Sequence, residues 1–425
     1  MNYNEQTDIL VNNDIEEKLP RAILVSADTG EFDAERSMDE LEELASTAGV
    51  ETVGRVIQKR PAYDSATCIG SGRLAELKDE AEALDTDLLI FDCELTANQT
   101  RNIEEITDVR VVDRTTLILD IFAQRAVSAE GRIQVELAQQ KYRLAHLAGK
   151  GISMSRLGGG IGTRGPGESK LETDRRHIRR RIETLSAELK ELEKRRDLRR
   201  SRRKKDNVLT AAIVGYTNVG KSTLLNALTD AGVLAENKLF ATLDITSRAI
   251  ELPDGRSVLL TDTVGLIRRL PHNLVEAFKS TLEEAANSDI IINIIDISAD
   301  DAYDQAEVTA ELLNELGCQD IPRIDVLNKI DRLPDPDNLP VDGTTVKISA
   351  KTRQGFDELL KCIAENLPSE NVRGMFLIPY DKGSLLNVLR ADGKIFSEEY
   401  TADGTLIDAL VDNKVYYMVE EYRTK

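Results

Sequence analysis

The chain has 425 residues, enough for two to four domains that each bury a core of their own. Hydrophobic residues make up 41% and charged residues 31%, a soluble globular balance, and no run of about 18 apolar residues occurs, which excludes a membrane-spanning helix. The formal net charge of −20 disfavours nucleic acid as a partner for the body of the protein.

The opening residues, MNYNEQTDILVNND, are acidic and polar. They lack the basic start and apolar stretch of a signal peptide, and residues 1–19 are expected to fray. Cys68, Cys93, Cys318 and Cys362 stand far apart in sequence with no metal-ligand spacing. They read as reduced, buried thiols, and the cytoplasm is the expected compartment.

From about residue 20 to 130, short apolar runs alternate with helical patterns. Strands are expected at AILV (22–25), TVGRVI (52–57), DLLIFD (87–92) and VRVVD (109–113). Helices are expected around 34–48, with Leu41, Leu44 and Ala48 on one face, and over 69–84, which opens on the glycines of IGSGR. This rhythm predicts a parallel α/β domain.

Residues 131–205 change character. Ile133, Leu137, Gln140, Leu144 and Leu147 step by four and three, as do Ile178, Ile182, Leu185, Leu189 and Leu192. Two such heptad seams joined by a short connection predict a long antiparallel helical hairpin. The connection, 149–170, carries too many glycines for a helix and includes Arg156 and Arg164. Thr173 to Lys205 holds fifteen Lys+Arg against six Asp+Glu, a net of +9 that leaves −29 for the remainder. A basic element on an acidic body can hold a polyanion at one place only. Arg175, Arg176, Arg179, Arg180 and Arg181 crowd one end of the second helix, and Arg199, Arg200, Arg202, Arg203, Lys204 and Lys205 the other. A solvated charged face is the plainer reading of any one charge run; the excess of one sign here favours RNA phosphates.

From 206 to 368 the βα alternation resumes, with strands expected at 210–214, 257–262, 290–296, 323–328 and 345–349. GYTNVGKS, Gly215, Tyr216, Thr217, Asn218, Val219, Gly220, Lys221 and Ser222, follows the first of these strands and opens a helix beginning Ser222-Thr223. It matches the pattern G-x-x-x-x-G-K-[ST]: a glycine-rich turn whose amides cradle phosphates, Lys221 on the β/γ-phosphates, and the Ser222 hydroxyl on Mg²⁺. DTVG, Asp262 to Gly265, ends a neighbouring strand. Asp262 suits Mg²⁺ through a water, and Gly265 suits close approach to the γ-phosphate. Thr242 lies between these motifs and suits the Mg²⁺ shell, with Thr246 as a rival. NKID, with Asn328, Lys329 and Asp331, and SAK, with Ser349, Ala350 and Lys351, follow two later strands. A carboxylate at Asp331 offers two acceptors to the ring N–H and 2-amino donors of guanine, which adenine lacks, so GTP and GDP are the expected ligands. NLPSENVRG (366–374) reads as a linker, and 375–425 as a small α+β domain with a strand at FLIP, a helix near KGSLLNVLR and a hairpin in the last 25 residues.

These motifs resemble those of the Ras-like P-loop GTPases. RLGGGIGTRGPGESKLETDRR (156–176), joined to a basic coiled hairpin directly before GYTNVGKST, resembles the HflX family of ribosome-associated GTPases over about residues 20–368, and GSGR (70–73) also fits. The tail resembles the extra C-terminal domain of some members. The resemblance implies GTP hydrolysis, the large ribosomal subunit as partner, a role in splitting stalled or stressed ribosomes, and a loop at 156–167 that points toward the peptidyl-transferase centre; the chain is expected to be a monomer. It links the first domain to ATP, although a lone G-x-G favours packing. Many small GTPases carry a catalytic glutamine where this chain has Leu266, so intrinsic hydrolysis is expected to be slow. Asn218 has an analogue in potassium-dependent GTPases; a K⁺ ligand and a side chain that bonds the loop backbone fit it equally. A protein-binding switch without RNA is the alternative reading of the whole chain.

Overall fold

The computed structural model describes residues 19–154, 166–206, 208–229, 239–240, 246–269, 271, 283–336, 339, 343–368 and 371–424. The chain divides into two compact units, residues 1–124 with 136–183, and residues 125–135 with 184–425. No described helix is long and apolar enough to cross a membrane.

The first unit is built on four parallel strands, β1 (Arg21–Asp28), β2 (Glu51–Lys59), β3 (Leu88–Phe91) and β4 (Arg110–Asp113), in the order β2-β1-β3-β4. Helices α1 (Ala34–Thr47), α2 (Ser71–Ala83), α3 (Ala97–Thr107) and α4 (Arg114–Arg125) alternate with them. α1 buries Met38, Leu41 and Leu44 at helical spacing, and Asp33 caps it by accepting from Arg36 N at 3.2 Å. α3 and α4 go beyond the helices expected from the pattern. α4 buries Leu117, Ile118, Leu119, Ile121 and Phe122, an apolar face broad enough to blur the periodic signal. Gly70 caps α2, and its amide donates to Gln58 Oε1 at 2.8 Å.

The carboxyl ends of β3 and β4 carry buried polar groups. Arg114 donates to Asp92 at 2.9 Å and also pairs with Glu40. Asp113 accepts from the Tyr142 hydroxyl, and His146 Nε2 meets Leu95 O at 2.7 Å, which fixes the middle of the next helix, α5 (Ala129–Met154), within this unit. Burial pushes the Tyr142 phenol well above its usual range, helped by Asp113. Cys68 and Cys93, distant in sequence, bring their sulfurs to 3.2 Å; the Cys68 thiol and then burial hold Cys93 in its neutral form.

α6 (Pro166–Lys205) follows α5. The connection is shorter than the 149–170 expected, because α5 continues through Met154 and α6 begins at Pro166, a residue suited to a first helical turn. Residues 155–165 lie outside the described residues. Leu185 is fully buried, while Ile178, Ile182, Leu189 and Leu192 are half-buried, as the seam requires. In the first unit Arg181 Nε donates to Glu136 at 2.6 Å; in the second, Arg196 Nη1 donates to Glu130 at 2.9 Å. Later residues of α6 thus meet earlier residues of α5, the order of an antiparallel pair.

The second unit contains a six-stranded sheet: β5 (Leu209–Gly215), β6 (Thr246–Glu251), β7 (Ser257–Asp262), β8 (Ile290–Asp296), β9 (Arg323–Asn328) and β10 (Thr345–Lys347). The order is β10-β9-β8-β5-β7-β6, parallel except for β6. β5 and β8 are central and predominantly apolar because both their faces are covered. β6, TSRAIE, is a polar edge strand that the sequence does not announce. A smaller antiparallel sheet, β11 (Asn371–Ile378), β12 (Lys394–Tyr400) and β13 (Thr405–Asp412), packs helices Gly383–Asp392 and Asn413–Val419 over Phe376, Ile378, Ile407 and Val411. Two expectations are corrected here. The small domain starts at Asn371, inside the expected linker, because 371–378 pairs with β13 along its whole length. The hairpin is β12–β13 and precedes a terminal helix, capped by Asp412 accepting from Val415 N at 2.7 Å.

Candidate nucleotide-binding site

β5 runs into Gly215 and helix α7 (Lys221–Thr229) leaves the turn that follows. The turn needs its glycines. Gly215 has φ +147, and a Cβ there would lie 2.4 Å from Ile294 O; Gly220 has φ +101, and a Cβ there would lie 2.4 Å from Asn328 Nδ2. Asn218 holds φ +61 with its side chain exposed. Lys221 is buried, and its Nζ donates to Gly215 O at 3.1 Å and Tyr216 O at 2.6 Å. Burial pushes this ammonium down to about 8, and the Asp262 carboxylate offsets part of that. Among the described residues the site therefore holds a buried cation hydrogen-bonded to neutral carbonyls, at a helix N-terminus, a setting that favours an anion.

Asp262, fully buried, ends β7, and Ser222 Oγ donates to its Oδ2 at 2.7 Å. A hydroxyl and a carboxylate side by side are hard oxygen donors that fit Mg²⁺. Thr223, half-buried, follows in the first turn of α7. Thr242 lies outside the described residues; its rival Thr246 opens β6 directly opposite Asp262. Gly265 is hemmed in, because a Cβ there would meet Thr217 Cγ2 at 2.8 Å and Lys221 Nζ at 3.1 Å. The two loops are also joined through backbone: Thr217 N donates to Leu266 O at 2.7 Å, and Leu266 N to Gly215 O at 3.2 Å. Tyr216 adds a side-chain tie, its hydroxyl accepting from Arg268 N at 2.7 Å.

The expected base-binding residues gather at the ends of β9 and β10. Asn328 Nδ2 donates to Val219 O at 2.7 Å, and Ala350 N donates to Asn328 Oδ1 at 2.9 Å. Ser349 Oγ donates to Asp331 Oδ1 at 2.6 Å, orienting an exposed carboxylate. Lys329, at φ +65, donates to Asn218 O at 2.8 Å and pairs with Asp296 at 2.6 Å. Lys351 is exposed. Asp296 escapes sequence reasoning, although its position as the last residue of the apolar run IIINIID marks a strand end on the same edge.

Of the expected RNA contacts, Arg175 is half-buried and Arg176, Arg179 and Arg180 are exposed on α6. Arg156 and Arg164 lie outside the described residues.

Three family models match the chain: "GTP-binding GTPase N-terminal" over residues 35–123, "GTP-binding GTPase Middle Region" over 125–203, and "50S ribosome-binding GTPase" over 210–329. Curated relatives named "GTPase HflX" cover most of it. That of Caldanaerobacter subterraneus subsp. tengcongensis is 51% identical, spanning 92% of this chain and 91% of the relative. That of Lacrimispora saccharolytica is 50% identical over 96% and 97%. That of Escherichia coli is 40% identical over 83% and 85%.

Proposed function

The chain belongs to the HflX family of GTPases, and from that premise we propose that it is a GTP-driven factor that grips the large ribosomal subunit and splits stalled or stressed ribosomes. It hydrolyses GTP to GDP and phosphate, as its family does. The observation that carries the ribosomal reading is the charge of α6: a +9 stretch in a −20 protein, with exposed arginines, leading directly into the nucleotide-binding strand β5. Its RNA-facing residues are Arg156, Arg164, Arg175, Arg176, Arg179 and Arg180, and the agreement with the 50S ribosome-binding family model supports the partner.

In this reading residues 215–223 cradle the phosphates. The Lys221 ammonium exchanges its carbonyl partners for phosphate oxygens, and Gly265 presents its amide to the γ-phosphate. Ser222, Thr242 and, through a water, Asp262 hold Mg²⁺, which supplies charge neutralisation to the β- and γ-phosphates when bound. Asn218 would hold K⁺, which would supply further positive charge near the phosphates. Asp331, oriented by Ser349, reads guanine, while Asn328, Lys329, Ala350 and Lys351 brace the base. With Leu266 in place of glutamine, intrinsic turnover is slow and the ribosome accelerates it.

The test is sedimentation of the full chain with ribosomal particles on a sucrose gradient. Association with the large subunit that requires a GTP analogue and weakens as salt rises is expected, together with a shift of 70S particles toward subunits. A chain that binds nucleotide but stays at the top of the gradient would instead be a protein-binding switch.

A further inference from the structure

We infer that the Thr217 hydroxyl holds the attacking water against the γ-phosphoryl group, the task that a glutamine at position 266 would otherwise perform. The inference rests on the nucleotide-site reading above and adds a residue to its chemistry.

Thr217 is only 5% exposed, and its Oγ1 has no hydrogen-bond partner among the described residues. Buried hydroxyls in native proteins are nearly always bonded, so one left open needs a reason. The other hydroxyls of the two loops are engaged. Ser222 donates to Asp262 at 2.7 Å, Thr263 donates to Ile213 O at 2.8 Å, and the Tyr216 hydroxyl accepts from Arg268 N at 2.7 Å.

Thr217 stands beside the residues assigned to the terminal phosphates. The point where a Cβ on Gly265 would sit lies 3.1 Å from Thr217 Cα, 2.8 Å from its Cγ2 and 3.1 Å from Lys221 Nζ. Thr217, the lysine assigned to the terminal phosphates and the glycine assigned to the γ-phosphate therefore converge on one small space. The backbone of Thr217 is pinned there by its bond to Leu266 O at 2.7 Å. Val264, Leu266 and Ile267 are buried and offer no polar side-chain atom to a water. A hydroxyl both accepts and donates, so it can take a hydrogen bond from water while giving one to a γ-phosphate oxygen. In the reaction the water oxygen forms its bond to γ-phosphorus as the bond to the β–γ bridging oxygen breaks. The electron pair leaves on GDP, the water proton ends on the released phosphate, and Thr217 keeps its own proton.

The test separates hydroxyl from shape. T217V keeps the branched outline and removes the oxygen; T217S keeps the oxygen and removes the methyl that packs on Gly265. Single-turnover hydrolysis and the affinities for GDP and a non-hydrolysable GTP analogue are measured on the full chain, with melting temperature as the check on folding. T217V is expected to hydrolyse GTP about 10–100-fold more slowly while GDP affinity stays within about threefold, and T217S to stay within about threefold of the parent rate. Should T217V melt below the assay temperature, T217A takes its place with the same expectation. A rate for the hydroxyl-free variant within about twofold of the parent overturns the inference, as does a loss of GDP affinity that matches the loss of rate. Equal slowing by T217S and T217V would show packing, and also overturns it. If the parent chain itself fails to bind GDP, the nucleotide-site reading falls and this one with it.

Discussion

Asn328 donates from Nδ2 to the carbonyl oxygen of Val219 at 2.7 Å, across 109 residues of sequence. Its Oδ1 accepts from Ala350 N at 2.9 Å, so one carboxamide, 1% exposed, stitches the loop after β5 to the loop after β10. Asn328→Ala leaves a buried carbonyl and a buried amide unpartnered, a cost of about 2–4 kcal/mol for the pair. GDP and GTP affinities are expected to fall together by about tenfold or more in titration calorimetry, since the change loosens a shared frame. A selective loss of GTP alone would contradict the bracing role.

Asp331→Asn is expected to shift preference from guanine toward xanthine nucleotides. The new amide donates where the 2-amino group also donates, and it can instead pair with the oxygen that xanthine carries there. Competition between GDP and XDP reads the switch. Undiminished guanine preference would remove Asp331 from the base site.

Replacing Arg175, Arg176, Arg179 and Arg180 together with Gln is expected to weaken ribosome association and to flatten its dependence on salt, by about 0.7–0.9 in log–log slope for each phosphate no longer neutralised. GDP affinity should stay unchanged. A parent-like slope would mean that these arginines do not touch RNA phosphates.

Asp120, on α4, has its carboxyl pushed up to about 6 by burial, against the pull of Arg110 and Arg143. The folded state therefore binds a proton that the unfolded chain, near 3.8, has released. Between about pH 4 and 6 the folded state holds more protons, so stability falls as pH rises through that window, and the deficit persists at pH 7. Asp120→Asn is expected to stabilise the first unit at pH 7 by about 1–3 kcal/mol and to level this pH dependence. Hydrogen exchange at α4 amides, compared at pH 5 and 7 after correction for intrinsic rates, measures it; a destabilised variant at pH 7 would reverse the sign.

The order and type of the nucleotide motifs were legible because each is local. An apolar run specifies a buried strand, and the polar residues that follow it must lie at that strand's end. So β7, β8 and β9 carry the bounds the pattern suggests, with Asp262, Asp296 and Asn328 as their last residues. The heptad seams of α5 and α6 and the charge of α6 are equally local properties. Periodicity could not announce α4, whose apolar face is unusually broad, or β6, whose polar edge position leaves little burial to record.

What sequence alone determined is therefore a set of chemical groups, the chain order in which they occur, and the strand ends that carry them. Only the tertiary structure decided which groups meet: Thr217 against Gly265, Lys329 against Asp296, Asn328 between Val219 and Ala350. Short-range spacing reports the face of an element on which a residue lies. Whether a hydroxyl is spent on a neighbour or left open depends on atoms brought in from distant parts of the chain, and that is settled by packing.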